Sequence, residues 1–183
     1  MILPITIYGN PILKKEAENI SPDYPNLEQL IADMFETMYH ARGCGLAAPQ
    51  IGKSINVFVI DTTEMEEDEN AIPIKKAFIN AEIIAFSGKD ELFCEGCLSV
   101  PGINEDVLRK STIKIAYYDE KFQHHIEDYS GMPARVIQHE FDHILGKTFI
   151  DRISPLKRTL LKSKLRDISA GKRETFYKVK PNK

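Results

Sequence analysis

His139 and His143 are four residues apart in the run Gln138-His139-Glu140-Phe141-Asp142-His143. On a helix that spacing puts both imidazoles on one face, where they can grip a single metal ion, with Glu140 about 100° round from His139 to flank it. This is the HExxH arrangement, two ligands and a base. A metal ion makes a water acidic near neutral pH, and a carboxylate outside the metal's shell takes that proton and passes it to the leaving amine. Such a site needs a third protein ligand and an open fourth position. Cys97, in Glu95-Gly96-Cys97-Leu98-Ser99 at the end of an expected strand, is the best candidate. A cation stabilises a thiolate there, although a lone cysteine in an apolar strand is more often a small core residue.

A third segment, Gly43-Cys44-Gly45-Leu46-Ala47-Ala48-Pro49-Gln50-Ile51-Gly52, is rich in small residues but has no Gly-Lys-Ser/Thr and so is not a phosphate loop. It suits an extended chain lying against the backbone, with the Gln50 amide free to donate a hydrogen bond. Cys94 and Cys97 also form a C-x-x-C, which leaves other readings open. A closed structural zinc site of Cys94, Cys97, His139 and His143 would leave Glu140 without a task. A redox C-x-x-C lacks its usual strand–helix placement, since the segment runs into Ser99-Val100-Pro101-Gly102. An HExxH protease of broader specificity would need an extended cleft. Helix-end His40 and the pair His124-His125 read as solvent-facing.

The elements that must position these groups follow from periodicity. Leu27, Leu30, Ile31, Met34 and Met38 fall at helical spacing between residues 26 and 41. Runs 57–60, 77–86, 92–98, 113–118 and 122–129 are rich in β-branched and aromatic residues and read as strands, mostly antiparallel, with Asp119-Glu120 as a hairpin turn. The HExxH helix spans about 133–145 and ends at Gly146; a third helix, 155–168, is capped by Ser154 and stopped by Gly171. The expected fold is α+β, with mostly antiparallel strands around a central HExxH helix, an N-terminal amphipathic helix and a basic C-terminal helix.

At 183 residues, 43% hydrophobic and 28% charged, the chain suits one domain with a real core. The net charge of -3 conceals a segregation: residues 151–183 hold 11 Lys+Arg against 3 Asp+Glu. Such a basic tail suits an anionic partner or a solvated helix face. Five of the six residues 64–69 are acidic and read as a solvated loop tip. Three cysteines argue against a disulfide framework, and neither a signal peptide nor a membrane-length apolar run is visible, so a cytoplasmic location is expected.

Taken together and in this order, Gly-x-Gly-Leu-Ala-Ala-Pro-Gln-Ile-Gly, Glu-Gly-Cys-Leu-Ser and Gln-His-Glu-x-Asp-His resemble the three signature motifs of the peptide deformylases. The likeness continues through Pro101, Arg109 and Ser154-Pro155-Leu156-Lys157-Arg158, over roughly residues 1–168, which would make 169–183 a basic tail dispensable for activity on short peptides. It implies removal of the formyl group from the N-terminal formyl-methionine of nascent peptides. Cys97, His139 and His143 would hold Fe(II), replaceable by Zn(II), Ni(II) or Co(II), with Glu140 as base and then acid. The Leu98 N–H and the Gln50 amide would receive the formyl oxygen. Gly43, Cys44, Met132, Val136 and His139 would surround the methionine side chain, and Gly45 N–H would hold the peptide. Asp142 and Arg109 would form an ion pair near the site, an exposed pair being the alternative. The resemblance also suggests ribosome docking through the basic C-terminal helix, and no DNA or membrane partner. Two departures stand out: Cys44 replaces a bulkier Ile or Val, and the acidic segment 64–69 looks like an insertion.

Overall fold

Val57-Phe58-Val59-Ile60 offers no polar side to water, and the fold buries it on both faces. This strand, β3 (Val57–Asp61), lies in a five-stranded antiparallel sheet with β2 (Gly45–Ala47), β4 (Lys75–Gly96), β5 (Asn104–Tyr118) and β6 (His124–Ser130), in the spatial order β2-β3-β4-β5-β6. Strands β1 (Ile5–Thr6) and β7 (Val179–Lys180) pair in parallel as a separate ribbon, and the described residues include the α-helices α1 (Leu27–His40), α2 (Gly131–Ile144) and α3 (Pro155–Ser169). The computed structural model describes residues 1–65 and 72–181; most of the acidic segment 64–69 lies outside them. No helix among the described residues is long and apolar enough to cross a membrane.

The alternation of β3 sorts the core. Val57 and Val59 face Leu30, Met34 and Met38 of α1, whereas Phe58 and Ile60 share a cluster with Phe78, Ile113 and Ile115 and with Val136, Ile137 and Ile144 of α2. The sheet therefore separates the two helices. Each such fully buried side chain contributes about 1.5–3 kcal/mol relative to exposure. A third cluster joins Leu161, Leu165 and Ile168 of α3 to Val100, Val107 and Phe149, leaving the basic side chains of α3 on the outside. Ser154 caps α3 by accepting the Lys157 N–H at 3.3 Å.

Several boundaries differ from the sequence reading. The expected strands 77–86 and 92–98 are one strand, because Ser87-Gly88-Lys89 continues across a register shift instead of turning. Gly88 makes that possible: its φ of +74° is a left-handed conformation that favours glycine. Strand β5 begins at Asn104, well before Ile113, since the charges of Glu105, Asp106, Arg109 and Lys110 mask its alternation. The segment after α3 does not trail away. It returns to pair with β1, and Tyr177 joins the α1 side of the core at 9% exposure.

Candidate active site

Helix α2 is nearly engulfed, with Arg135, Gln138, His139, Glu140, Asp142 and His143 all buried. Polar groups in such a place need partners or a ligand. Cys97 lies just beyond β4 in a tight turn, with its Sγ 3.2 Å from His143 Nε2. One ligand atom from each of Cys97, His139 and His143 lies within 4.8 Å of the others, and Cys94 is outside this group. That placement disfavours the closed four-ligand zinc site. Cys94 is instead exposed, paired in register with Asp106.

The orientation of His139 is fixed from behind. Glu95 Oε2 lies 2.9 Å from its Nδ1, and the same carboxylate takes the Arg109 Nε and Nη2 donors at 2.6 and 2.9 Å. Arg135 Nη1 adds a further bond to Glu95 Oε1 at 2.8 Å. Arg109 Nη1 then reaches Asp142 Oδ2 at 2.9 Å, and Arg152 Nε donates to the same oxygen at 2.9 Å. Arg109 and Asp142 thus form the expected ion pair, but a buried one, with side chains 1% and 2% exposed. Burial opposes the charge on Glu95, yet the bonds from His139 and Arg109 outweigh it and hold its carboxyl well below the usual range.

Burial works against a charged His139, but the contacts with Cys97 and Glu95 overcome it and raise its pKa well above the ordinary value. Burial and the neighbouring His139 push His143 well below its own ordinary value, toward the neutral form that ligates. One thiol and two imidazoles whose ligand atoms converge are a fitting set for a divalent transition metal.

Glu140 stands beside this set. A Cβ on Gly45 would lie 2.3 Å from Glu140 Oε1, so only glycine lets the carboxylate approach β2 so closely. Its other oxygen, Oε2, is buried with no hydrogen-bond partner among the described residues. Burial pushes the carboxyl up to about 7, against the opposing pull of His139 and Arg109. Gln50 is 1% exposed, and its Oε1 accepts the Ala47 N–H at 2.8 Å, which turns its NH2 toward Ser99 Oγ at 3.1 Å and Cys97 Sγ at 3.6 Å.

A cavity of about 560 Å³ opens onto these groups. Gly43, Cys44, Met132, Val136 and His139, the expected methionine-side residues, all line it, as do Gly45, Leu98, Glu140 and Gln50. Burial, with the Glu140 charge nearby, raises the pKa of the half-buried Cys44 thiol and leaves it a poorer nucleophile than a free cysteine. Sequence reasoning missed the roles of Arg135 and Arg152 in the buried network, and the tail residues Thr175, Phe176 and Tyr177 in the cavity wall. Only Arg135 carried a signal, since it lies one helical turn before His139.

An antiparallel sheet and helices that bring a Cys/His/His donor set beside a buried glutamate define a metal-dependent hydrolase. The chain matches the family described as polypeptide deformylase over residues 2–159. A peptide deformylase of Christiangramia forsetii is 50% identical over all of this chain and 97% of that relative, and one of Flavobacterium johnsoniae is 50% identical over 98% and 96%. The crystal structure of a peptide deformylase from Legionella pneumophila superposes with a TM-score of 0.81 at 37% identity, covering 94% of this chain and 98% of that one. This chain belongs to the polypeptide deformylase family, whose reaction is removal of the N-formyl group from nascent peptides.

Proposed function

We propose that deformylation here uses Glu140 as the proton carrier, Cys97, His139 and His143 as metal ligands, and the Leu98 N–H with the Gln50 amide as the acceptor site for the formyl oxygen. The observation that carries this reading is the buried Glu140 carboxylate, unpartnered at Oε2 among the described residues, beside three converging ligand atoms. The ion is Fe(II), with Zn(II), Ni(II) or Co(II) as substitutes; the donor types suit Fe(II) and Zn(II) equally. When bound, it acidifies a water and polarises the formyl carbonyl.

Glu140 takes a proton from the attacking water at one carboxylate oxygen and later delivers it to the amine nitrogen as the C–N bond breaks, leaving formate and a free N-terminus. Gln50, its Oε1 tied to Ala47, presents its NH2 to the oxygen on which negative charge grows, beside the Leu98 N–H. Gly43, Cys44, Met132, Val136 and His139 receive the methionine side chain. Gly45 lies on β2, an edge of the sheet, where its N–H binds an extended peptide as an added strand.

The decisive experiment is formate release from formyl-Met-Ala-Ser by the Fe(II)-loaded protein, beside Glu140→Gln with its metal content assayed. Activity in the first, with a loss of ~100-fold or more in a fully metallated variant, supports the assignment. Metal-loaded wild type that releases no formate would overturn it.

Residues 1–168 carry the catalytic groups in this proposal, residues 169–183 adding the segment that returns to the cavity wall, and the enzyme works in the cytoplasm. The exposed cations of α3 dock on ribosomal RNA, a contact that weakens steeply with salt. Co-sedimentation with ribosomes that is unchanged in Lys162→Glu/Arg166→Glu would exclude docking through this face.

A further inference from the structure

Arg42 holds a backbone conformation that arginine rarely adopts. It follows helix α1, where its N–H donates to Tyr39 O at 2.9 Å and the Gly43 N–H donates to Met38 O at 2.9 Å. Those two bonds close the helix in the left-handed turn that glycine usually supplies, and the φ of Arg42 is +58°. The turn delivers its side chain to the catalytic cavity, whose wall includes Arg42, Glu174 and Phe176. There the guanidinium sits over the Phe176 ring, 5.1 Å from its centre, and pairs with no carboxylate among the described residues. An aromatic face on one side holds the planar group and leaves its edge donors free to meet a carboxylate.

An extended substrate has one way out of the cleft. Its formyl end belongs beside Glu140, which abuts Gly45 on the edge strand β2. From Gly45 the chain runs in one direction into Leu46 and Ala47, both fully buried, and in the other through half-buried Cys44 and Gly43 to the exposed Arg42. A peptide added to this edge therefore leaves toward Arg42, which lies three residues from Gly45, about 10 Å along an extended chain. Side chains of such a peptide alternate. When the methionine points into the cavity, the second residue points away and the third points the same way, about 7 Å further toward the mouth.

We propose that Arg42 is a specificity-determining residue that recognises an acidic side chain at the third position of the formylated peptide. The inference rests on the strand-like binding along β2 given above. Glu174 carries the opposite charge on the same wall, but it is exposed and without a partner among the described residues. It is free to turn to solvent, whereas Arg42 is held by the ring.

Formyl-Met-Ala-Asp and formyl-Met-Ala-Lys, both as C-terminal amides, isolate the charge at that position. Fe(II)-loaded wild type should show kcat/KM at least about three-fold higher for the aspartate peptide, a difference lying mainly in KM and shrinking with salt. Each ratio is taken on one enzyme preparation, so it does not depend on how much of a variant folds. The ratio should fall to about one in Arg42→Gln, fall part of the way in Phe176→Ala, and largely persist in Arg42→Lys. Equal kcat/KM for the two peptides in wild type would overturn the proposal, and so would a preference that survives in Arg42→Gln. If wild type released formate from neither peptide, the reading of the whole site would fall; turnover of both without a charge preference would remove the role of Arg42 alone.

Discussion

Glu95 Oε2 meets His139 Nδ1 at 2.9 Å, so the imidazole is aimed by a carboxylate that is itself held by Arg109 and Arg135. In the proposed site such a residue would present Nε2 to a metal without having to settle its ring or tautomer on binding. Glu95→Gln keeps the shape but gives up the charge that balances the two buried guanidinium groups. Metal affinity, measured by competition with a chelator, should fall about 10- to 100-fold, with a lower melting temperature. An unchanged affinity would show that the carboxylate serves only the two arginines.

Gly45→Ala introduces a methyl 2.3 Å from Glu140 Oε1. The carboxylate has to move, and small displacements of a catalytic group cost of the order of 100-fold in rate. Formate release should collapse while metal content stays at the wild-type level. Normal turnover in this variant would mean that Glu140 works from another position.

Replacing Cys94 by Ser separates two kinds of metal site. The exposed Cys94 lies outside the group of converging ligands, so Cys94→Ser should keep both metal stoichiometry and activity. Loss of the metal would revive the closed four-ligand arrangement.

Acid stability offers an independent check, far from the metal ligands. Burial disfavours the Glu127 carboxylate, but bonds from Lys76, Tyr129 and Tyr117 outweigh this and bring it down to about 2. A depressed carboxyl stabilises the fold fully above its unfolded value of about 4.3, and that contribution disappears as pH falls through the folded value. The side chain is 34% exposed, so solvent screens the effect. The melting temperature of wild type should exceed that of Glu127→Gln near neutral pH, and the gap should close between about pH 4 and pH 2. A gap that persists at pH 2 would contradict this ion pair's role.

The grouping of the candidate site was legible because its chemistry is written in local spacing. His139 and His143 share a helix face whatever the rest of the chain does, and Gly43 to Gly52 and Glu95 to Ser99 kept their motif character without any knowledge of the sheet. The charged residues behind them were harder to read. Arg109 sits in a run with Glu105, Asp106 and Lys110 that resembles a solvated loop, yet the strand carries its side chain inward to Glu95 and Asp142. Nothing local distinguishes an inward arginine from an outward one; the distinction is made by a carboxylate 33 residues later in the chain. The junction at Ser87-Gly88-Lys89 misled for a related reason, since the same residues serve a turn or a bulge and the partner strand decides which. Tyr177 carried no signal, because its partner is a backbone carbonyl 79 positions away.

The parallel pairing of Ile5 with Val179 and of Thr6 with Lys180 bears on the order of assembly. Strand β1 precedes the main sheet in the chain, whereas its partner follows every strand of that sheet and α1 to α3 among the described residues. Ends that meet only across the full length of a chain close late, because the loop between them must lose its freedom before the contact returns anything. The grouping of Cys97, His139 and His143 can therefore form before this contact closes, and the wall that carries Tyr177 is added to the cavity late.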